Sequence, residues 1–246
     1  MKRRFEAFVI SMINSDKRRD HVRKIVEDCS LPCLVINAVN GSTLCPEIKN
    51  SFCSDALHIP TYPFKLKSSE IGCFISHRIA WQMILDRDLD GALILEDDVE
   101  LAQPEFGQSL SVAFDALNDL DHVRFRLMQR TNRLIRCKQY PSLTYPHVTS
   151  LGTQAQVVSS RGATKLLAAS AHFDRPVDTF LQMHWISGIK SCEVSPSYVY
   201  DRTNELGGST IQLKPSGFQP RLLRNILRTF YRFQIYWISL FKNLSL

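Results

Sequence analysis

The chain has 246 residues, 44% of them hydrophobic and 22% charged, with no repeat and no low-complexity tract. That excludes a disordered or fibrous polymer and is enough to bury one sizeable core. The net charge of +6 does not mark a nucleic-acid binder, because Lys214, Arg221, Arg224, Arg228, Arg232 and Lys242 carry the whole excess and residues 1–205 balance at 24 positive and 24 negative.

Met1-Lys2-Arg3-Arg4 leads into an apolar stretch that Asn14-Ser15-Asp16-Lys17 breaks at once, with no small-residue cleavage site. This pattern suits a first strand, Phe5 to Met12, better than a signal peptide. Ser15 or Asp16 is placed to cap a helix from about Lys17 to Cys29, and Cys33 to Val39 reads as a second strand closed by the turn pair Asn40-Gly41. Residues 42–67 carry Pro46, Pro60 and Pro63 without a period and read as loop. Ser69 then caps a helix from Glu70 to about Leu85, with Ile71, Phe74, Ile75, Ile79 and Met83 at helical spacing.

The polar turn 86–91 feeds Ala92-Leu93-Ile94-Leu95, a strand buried on both faces. Beyond it the pattern gives a helix from Phe106 to Leu120, strands near Val123–Met128 and Thr153–Val158, and a helix from Gly162 to Ala169. Strands alternating with helices in this way indicate an α/β fold of Rossmann type, a doubly wound, mostly parallel sheet. Seven cysteines, odd in number and without a CxxC pair, indicate free thiols and a reducing compartment. No window approaches the ~20 apolar residues of a membrane-spanning helix.

In an open α/β sheet ligands bind at the carboxyl ends of the strands, where the buried run ends in Glu96-Asp97-Asp98. Three adjacent carboxylates repel one another unless a cation neutralises them, and an all-oxygen set suits Mg²⁺ or Mn²⁺. A solvated acidic turn is the alternative. Arg18 and Arg19 offer fork-like donors to a nucleotide or diphosphate, or else they are the exposed face of the first helix.

Glu70-Ile71-Gly72-Cys73-Phe74-Ile75-Ser76-His77, followed nineteen residues after His77 by Glu96-Asp97-Asp98, resembles the core of glycosyltransferase family 25. That family holds lipopolysaccharide galactosyl- and glucosyltransferases and collagen galactosyltransferases. Val9-Ile10 to Arg18-Arg19, Ala38-Val39-Asn40-Gly41, Gly152-Thr153 through Gly162-Ala163, Pro176-Val177-Asp178 and Ser209-Thr210-Ile211 match in the same order, so the resemblance covers roughly residues 5–211. Ser11-Met12, Gln156 and Thr210 depart from the family's common residues.

The resemblance implies a GT-A-like fold, a UDP-sugar donor, an acidic metal motif and inversion at the anomeric carbon. By similarity Asp98 is the metal ligand, with Glu96 and Asp97 acting through water or the ribose. Arg18, Asn40, Ser76 and His77 are placed on the donor side, although His77 in an apolar stretch also fits a hydrogen-bonded core histidine. Asp178 is the candidate general base, or else the N-cap of a helix over Thr179–Trp185, and His184 is a candidate third metal ligand.

The tail has its own pattern. Arg221, Arg224, Arg228 and Arg232 form one helical stripe among apolar and aromatic residues, which suits an anionic membrane surface or packing on the catalytic domain. The expectation is a catalytic domain over residues 1–215 and a basic amphipathic helix over 216–246. The whole would transfer a hexose, galactose or glucose, from a UDP-hexose to a lipid-linked oligosaccharide such as a lipooligosaccharide core, on the inner face of a bacterial cytoplasmic membrane. A metal-dependent phosphoesterase or nuclease using the same carboxylates, and a non-catalytic membrane-associated binding protein, are the rival readings.

Overall fold

The structure, a computed structural model, describes residues 3–12, 16–128, 140–207 and 221–243. β1 (Phe5–Ser11), α1 (Asp16–Asp28) and β2 (Cys33–Asn37) open the chain as expected, though Ser15 lies outside the described residues. α2 (Pro46–Phe52) interrupts the segment expected to be loop. It buries no residue, so it has no apolar period to read, and Pro46 is tolerated at its start because the first helical N–H has no partner within the helix.

α3 (Ser68–Asp86) begins earlier than expected, and its N-cap is Lys67 rather than Ser69. The Lys67 backbone N–H donates to Glu70 Oε2 at 2.7 Å, the return half of a capping box. Its buried side runs through Ile71, Phe74, Trp81 and Ile84, while Ile79, expected inward, is 37% exposed.

β3 (Gly91–Glu96), β4 (Val99–Leu101), α4 (Glu105–Ala116), β5 (His122–Phe125), β6 (Ser142–Thr144), β7 (Ala155–Ser159) and α5 (Ser160–Ala169) follow. Then come α6 (Val177–Leu181), α7 (His184–Ser187), β8 (Ser191–Ser195), β9 (Val199–Asp201) and α8 (Arg221–Asn243). The single helix expected over 179–185 is therefore two short ones. Strands β4, β6, β8 and β9 were not anticipated from the pattern; they are three to five residues long, and β8 alternates Ser191 and Glu193 with its apolar residues.

The main sheet has the order β2-β1-β3-β7-β5-β8-β6. β2, β1, β3, β5 and β8 run one way, and β7 and β6 run against them. The sheet is thus mostly parallel and α/β, as expected, with antiparallel strands in its second half. Ala7, Val9, Leu93, Leu95, Val123 and Val157 share one core with α1 and α4. Phe8, Ile10, Ala92, Ile94 and Val158 face the other way into a second core with α3, α5 and α6. Coverage on both faces explains why β3 reads as a continuous apolar run rather than an alternation.

The turn after β2 is pressed onto α3. A Cβ on Gly41 would stand 1.7 Å from the Ser68 carbonyl oxygen, and one on Gly72 would stand 2.4 Å from that of Val39. Both obstacles are backbone and cannot swing aside. Ser76 locks the contact, its Oγ accepting from Val39 N at 2.8 Å and donating to Gly72 O at 2.7 Å. Gly72→Ala is therefore expected to destabilise by about 1–3 kcal/mol or more in chemical denaturation. Gly107→Ala in α4, where only the flexible Gln103 side chain comes within 3.6 Å, is expected to stabilise by about 0.5–1 kcal/mol. Equal effects at the two sites would refute the close-packing account.

Candidate active site

The carboxyl end of β3 delivers three carboxylates in succession, and each meets a different environment. Asp97 forms a buried ion pair with Arg18 of α1 and accepts from Ser11 Oγ at 2.8 Å, so its charge is matched within the chain. Glu96 accepts from His77 Nε2 at 3.3 Å and Thr153 Oγ1 at 2.5 Å. Burial pushes the Glu96 carboxyl up, but these bonds outweigh it and hold it below its ordinary value.

Asp98 has much less. Thr203 Oγ1 donates to its Oδ2 at 2.8 Å, while Oδ1 is buried with no partner among the described residues. Burial first, and then the charge of Glu96, push its carboxyl up to about 7. An oxygen stripped of water and aimed at no donor is what a hard divalent cation would satisfy.

A relay of side chains fixes the orientation of Glu96. An ionised Glu96 only accepts, so His77 Nε2 carries the proton and its Nδ1 accepts from Gln156 Nε2 at 3.3 Å. The amide oxygen of Gln156 then accepts from His122 Nε2 at 2.9 Å, and His122 Nδ1 accepts from Ser191 Oγ at 3.0 Å. Burial pulls His122 down to about 3, so it stays neutral and the relay keeps one direction. His77 is thus a hydrogen-bonded core residue and a support of the acidic motif at once.

Arg18, Asn40, Ser76, His77, Glu96, Asp97 and Asp98 all line one cleft of about 270 Å³ beside the turn after β2. Arg18 is spent on Asp97 and Ser76 on Val39 and Gly72, so these two shape the cleft. Asn40 holds the turn, its Oδ1 accepting from Ser42 N at 3.0 Å. Cys73, His77 and Glu96 also bring ligand atoms within 4.8 Å of one another. Burial raises the Cys73 thiol well above its ordinary value, and both ring nitrogens of His77 are engaged, so this trio suits a cation less well than Asp98 does.

Asp178 sits in the first turn of α6, whose N-cap is Pro176. Its Oδ1 accepts from Thr179 N at 2.7 Å and its Oδ2 from Gly152 N at 3.2 Å. Its charge raises Cys73, which lines the cleft, so it stands within electrostatic reach of that wall.

The structure does not bring His184 to the acidic motif. It lies under α8, with Nε2 donating to Ser239 Oγ at 2.9 Å, and burial keeps it neutral. Gln156, His122 and Thr203 were missed by sequence reasoning; their partners are 34 to 105 residues away and no local pattern joins them. Thr210 and its neighbours lie outside the described residues.

An acidic cluster with one unpartnered carboxylate oxygen at a strand's carboxyl end, walled by a glycine turn, defines an α/β protein with a candidate cation site. The profile of glycosyltransferase family 25, described as an LPS biosynthesis family, matches residues 5–181, and the chain belongs to that family. It is 30% identical over 192 residues to human procollagen galactosyltransferase 2, covering 72% of this chain and 29% of that protein. It is also 30% identical over 186 residues to the inactive family 25 member 3 of Mus musculus, and 31% over 96 residues to the lipooligosaccharide biosynthesis protein lic2B of Haemophilus influenzae. The lic2B match covers 39% of this chain and 34% of that protein. The chain thus spans about a third of the relatives it matches. Among solved structures, A197 from STIV aligns over 80% of this chain and 83% of that one, with a TM-score of 0.41 at 12% identity. That likeness is distant, and the strand order above defines the fold.

The pH dependence of stability tests the state of Asp98. Its carboxyl titrates near 7 in the folded chain against an ordinary 3.8, so the folded state holds the proton more tightly. Stability is therefore fully present below about 3.8, is lost as pH rises through this window, and stays low above 7. Asp98→Asn, which cannot ionise, is expected to raise Tm at pH 8, by roughly 2–4 °C per kcal/mol relieved, and to change little at pH 4. A variant less stable at pH 8 would show that the Asp98 charge is compensated by the chain.

Proposed function

We propose that the chain is a metal-dependent inverting glycosyltransferase that moves a hexose, galactose or glucose, from a UDP-sugar to the saccharide of a lipopolysaccharide or lipooligosaccharide core. The observation that carries this reading is the orphaned Asp98 oxygen in a cleft whose other acids are already matched. Asp98 would hold Mn²⁺ or Mg²⁺, with Glu96 and Asp97 behind it. The cation would supply charge neutralisation to the departing diphosphate. Family membership and the names of the procollagen and lipooligosaccharide relatives support the sugar-transfer class and suggest galactose.

In this scheme the turn 38–41 and α3 close one wall around the donor, and Arg18 keeps Asp97 fixed. The acceptor hydroxyl attacks the anomeric carbon from the face opposite the diphosphate. Asp178 takes the hydroxyl proton as the new C–O bond forms, and the electron pair of the broken bond leaves with UDP. Asp98→Asn is expected to abolish Mn²⁺-dependent turnover of a UDP-hexose. Asp178→Asn should leave UDP binding near the parent value and lower transfer by about 10²–10⁴. Transfer that survives in Asp98→Asn, or in excess chelator, would rule the scheme out.

The tail bears on the lipid-linked acceptor. Tyr231, Ile235 and Ser239 of α8 are buried against Met183 and α7, and the Tyr231 hydroxyl accepts from the fully buried Arg175 at 2.6 Å. Arg224 and Arg228 lie on that same stripe, each over the Phe64 ring at 5.8 and 5.9 Å. The side left outward carries Leu222, Ile226, Phe230, Phe233, Trp237 and Phe241, all exposed. No helix among the described residues is long and apolar enough to cross a membrane. This apolar stripe suits shallow insertion at the inner surface of a cytoplasmic membrane, with the exposed Arg232 flanking it for anionic headgroups. The triple substitution Phe233→Ser, Trp237→Ser, Phe241→Ser is expected to abolish co-sedimentation with anionic vesicles and to spare transfer to a short soluble acceptor. Equal losses on soluble and membrane-embedded acceptors would contradict this.

A further inference from the structure

The second face of the sheet is apolar at β1 and β3 but turns polar at β7, β5 and β8. There Gln156, His122, Arg124 and Glu193 alternate with core residues and so point the same way. Gln156 and His122 belong to the relay, and Glu193 Oε1 accepts from Ser150 N at 2.5 Å. Arg124 is different. It is 2% exposed, and Nε, Nη1 and Nη2 are all buried without a hydrogen-bond partner among the described residues.

A guanidinium is a permanent cation with five donors, and leaving it dry and unbonded is among the costliest arrangements a core can hold. The carboxylates of Asp178, Glu193 and Glu96 act on it through space, but none forms an ion pair with it. Residues 129–139 and 208–220 contain no Asp or Glu, so those segments have no carboxylate to offer.

Arg124 is also not sealed into packed core. With Arg126, Ser150, Gly152 and Gln154 it lines a second cavity of about 220 Å³. Asp178 is bonded to Gly152 of this cavity's wall, and its charge bears both on Arg124 and on Cys73 of the donor cleft. The candidate base is therefore bonded to the wall of this cavity and within electrostatic reach of Cys73 in the donor cleft.

We propose that Arg124 is the recognition group of an acceptor subsite, binding a carboxylate or phosphate carried by the acceptor saccharide. The inference rests on the glycosyltransferase reading above and names the acceptor class for it. The fork of the guanidinium matches two oxygens of such a group, and the ligand supplies the bonds the fold withholds. Arg126 at the cavity wall adds a second positive charge, and the Ser150–Gln154 wall offers polar groups for the sugar itself.

The test titrates inorganic phosphate, glucuronate and neutral glucose into the full chain saturated with UDP and Mn²⁺, reading binding by calorimetry. Phosphate and glucuronate should bind saturably and glucose should not. Arg124→Gln should weaken both anions by about tenfold or more, the loss of a charge-assisted hydrogen bond, with UDP affinity unchanged. Should Arg124→Gln fail to fold, Arg124→Lys keeps the charge without the fork and should still weaken glucuronate severalfold. Anion affinities unchanged in both variants, or no anion binding by the parent chain, would overturn the proposal. So would a UDP affinity that falls together with the anions, because Arg124 would then serve the donor diphosphate. If the parent chain binds no UDP at all, the donor reading fails on its own, and the same titrations on the free chain still decide Arg124.

Discussion

Everything around the cleft follows from one electrostatic problem, three carboxylates leaving the end of one buried strand. The chain solves it for two of them. Arg18 neutralises Asp97, and His77 with Thr153 holds Glu96. Asp98 is left with one hydroxyl and a dry oxygen. Matching all three would make a salt-bridged core, and matching none would break the strand end apart. Bonding two leaves Asp98 as the carboxylate with an unmet oxygen, in a position fixed by the other two.

The rest of the fold serves that position. β3 is buried on both faces, so it cannot shift without opening two cores. Gly41 and Gly72 let the turn after β2 approach α3 closer than any side chain permits, which sets the cleft's width. The one-way relay from Ser191 through His122 and Gln156 reaches Glu96 from the far half of the sheet. Polar residues on that half are therefore structural up to Arg124, where the pattern of satisfied bonds stops.

Much of this was legible in the sequence, and the reasons are physical. A four-residue apolar run ending in Glu96-Asp97-Asp98 announces a buried strand and its ligand end, and helical spacing announces α3 and α8. What could not be read were pairings across long separations, such as Arg18 with Asp97 or Thr203 with Asp98. Local periodicity has no term for them. α2 and β8 escaped because their inward or outward faces lack apolar contrast. His184 looked like a possible ligand because histidine chemistry is versatile, and only the docking of α8 shows that it is bonded to Ser239. The arginine stripe of the tail was visible as a stripe, but its direction was not. Arg224 and Arg228 face Phe64 on the domain, and the aromatic side faces out.

The central claim is that Asp98 carries the charge a cation must meet, and that it titrates near 7 because the chain leaves it uncompensated. Mn²⁺ binding to the chain alone, followed through the free-ion signal in electron paramagnetic resonance at pH 6 and pH 8, addresses it without any sugar. Binding that needs the ionised carboxylate should be about tenfold weaker at pH 6, since only about a tenth of Asp98 is then deprotonated. Equal affinity at the two pH values would contradict the account, because the cation would then be held by acids already ionised, and Asp98 would not be its ligand.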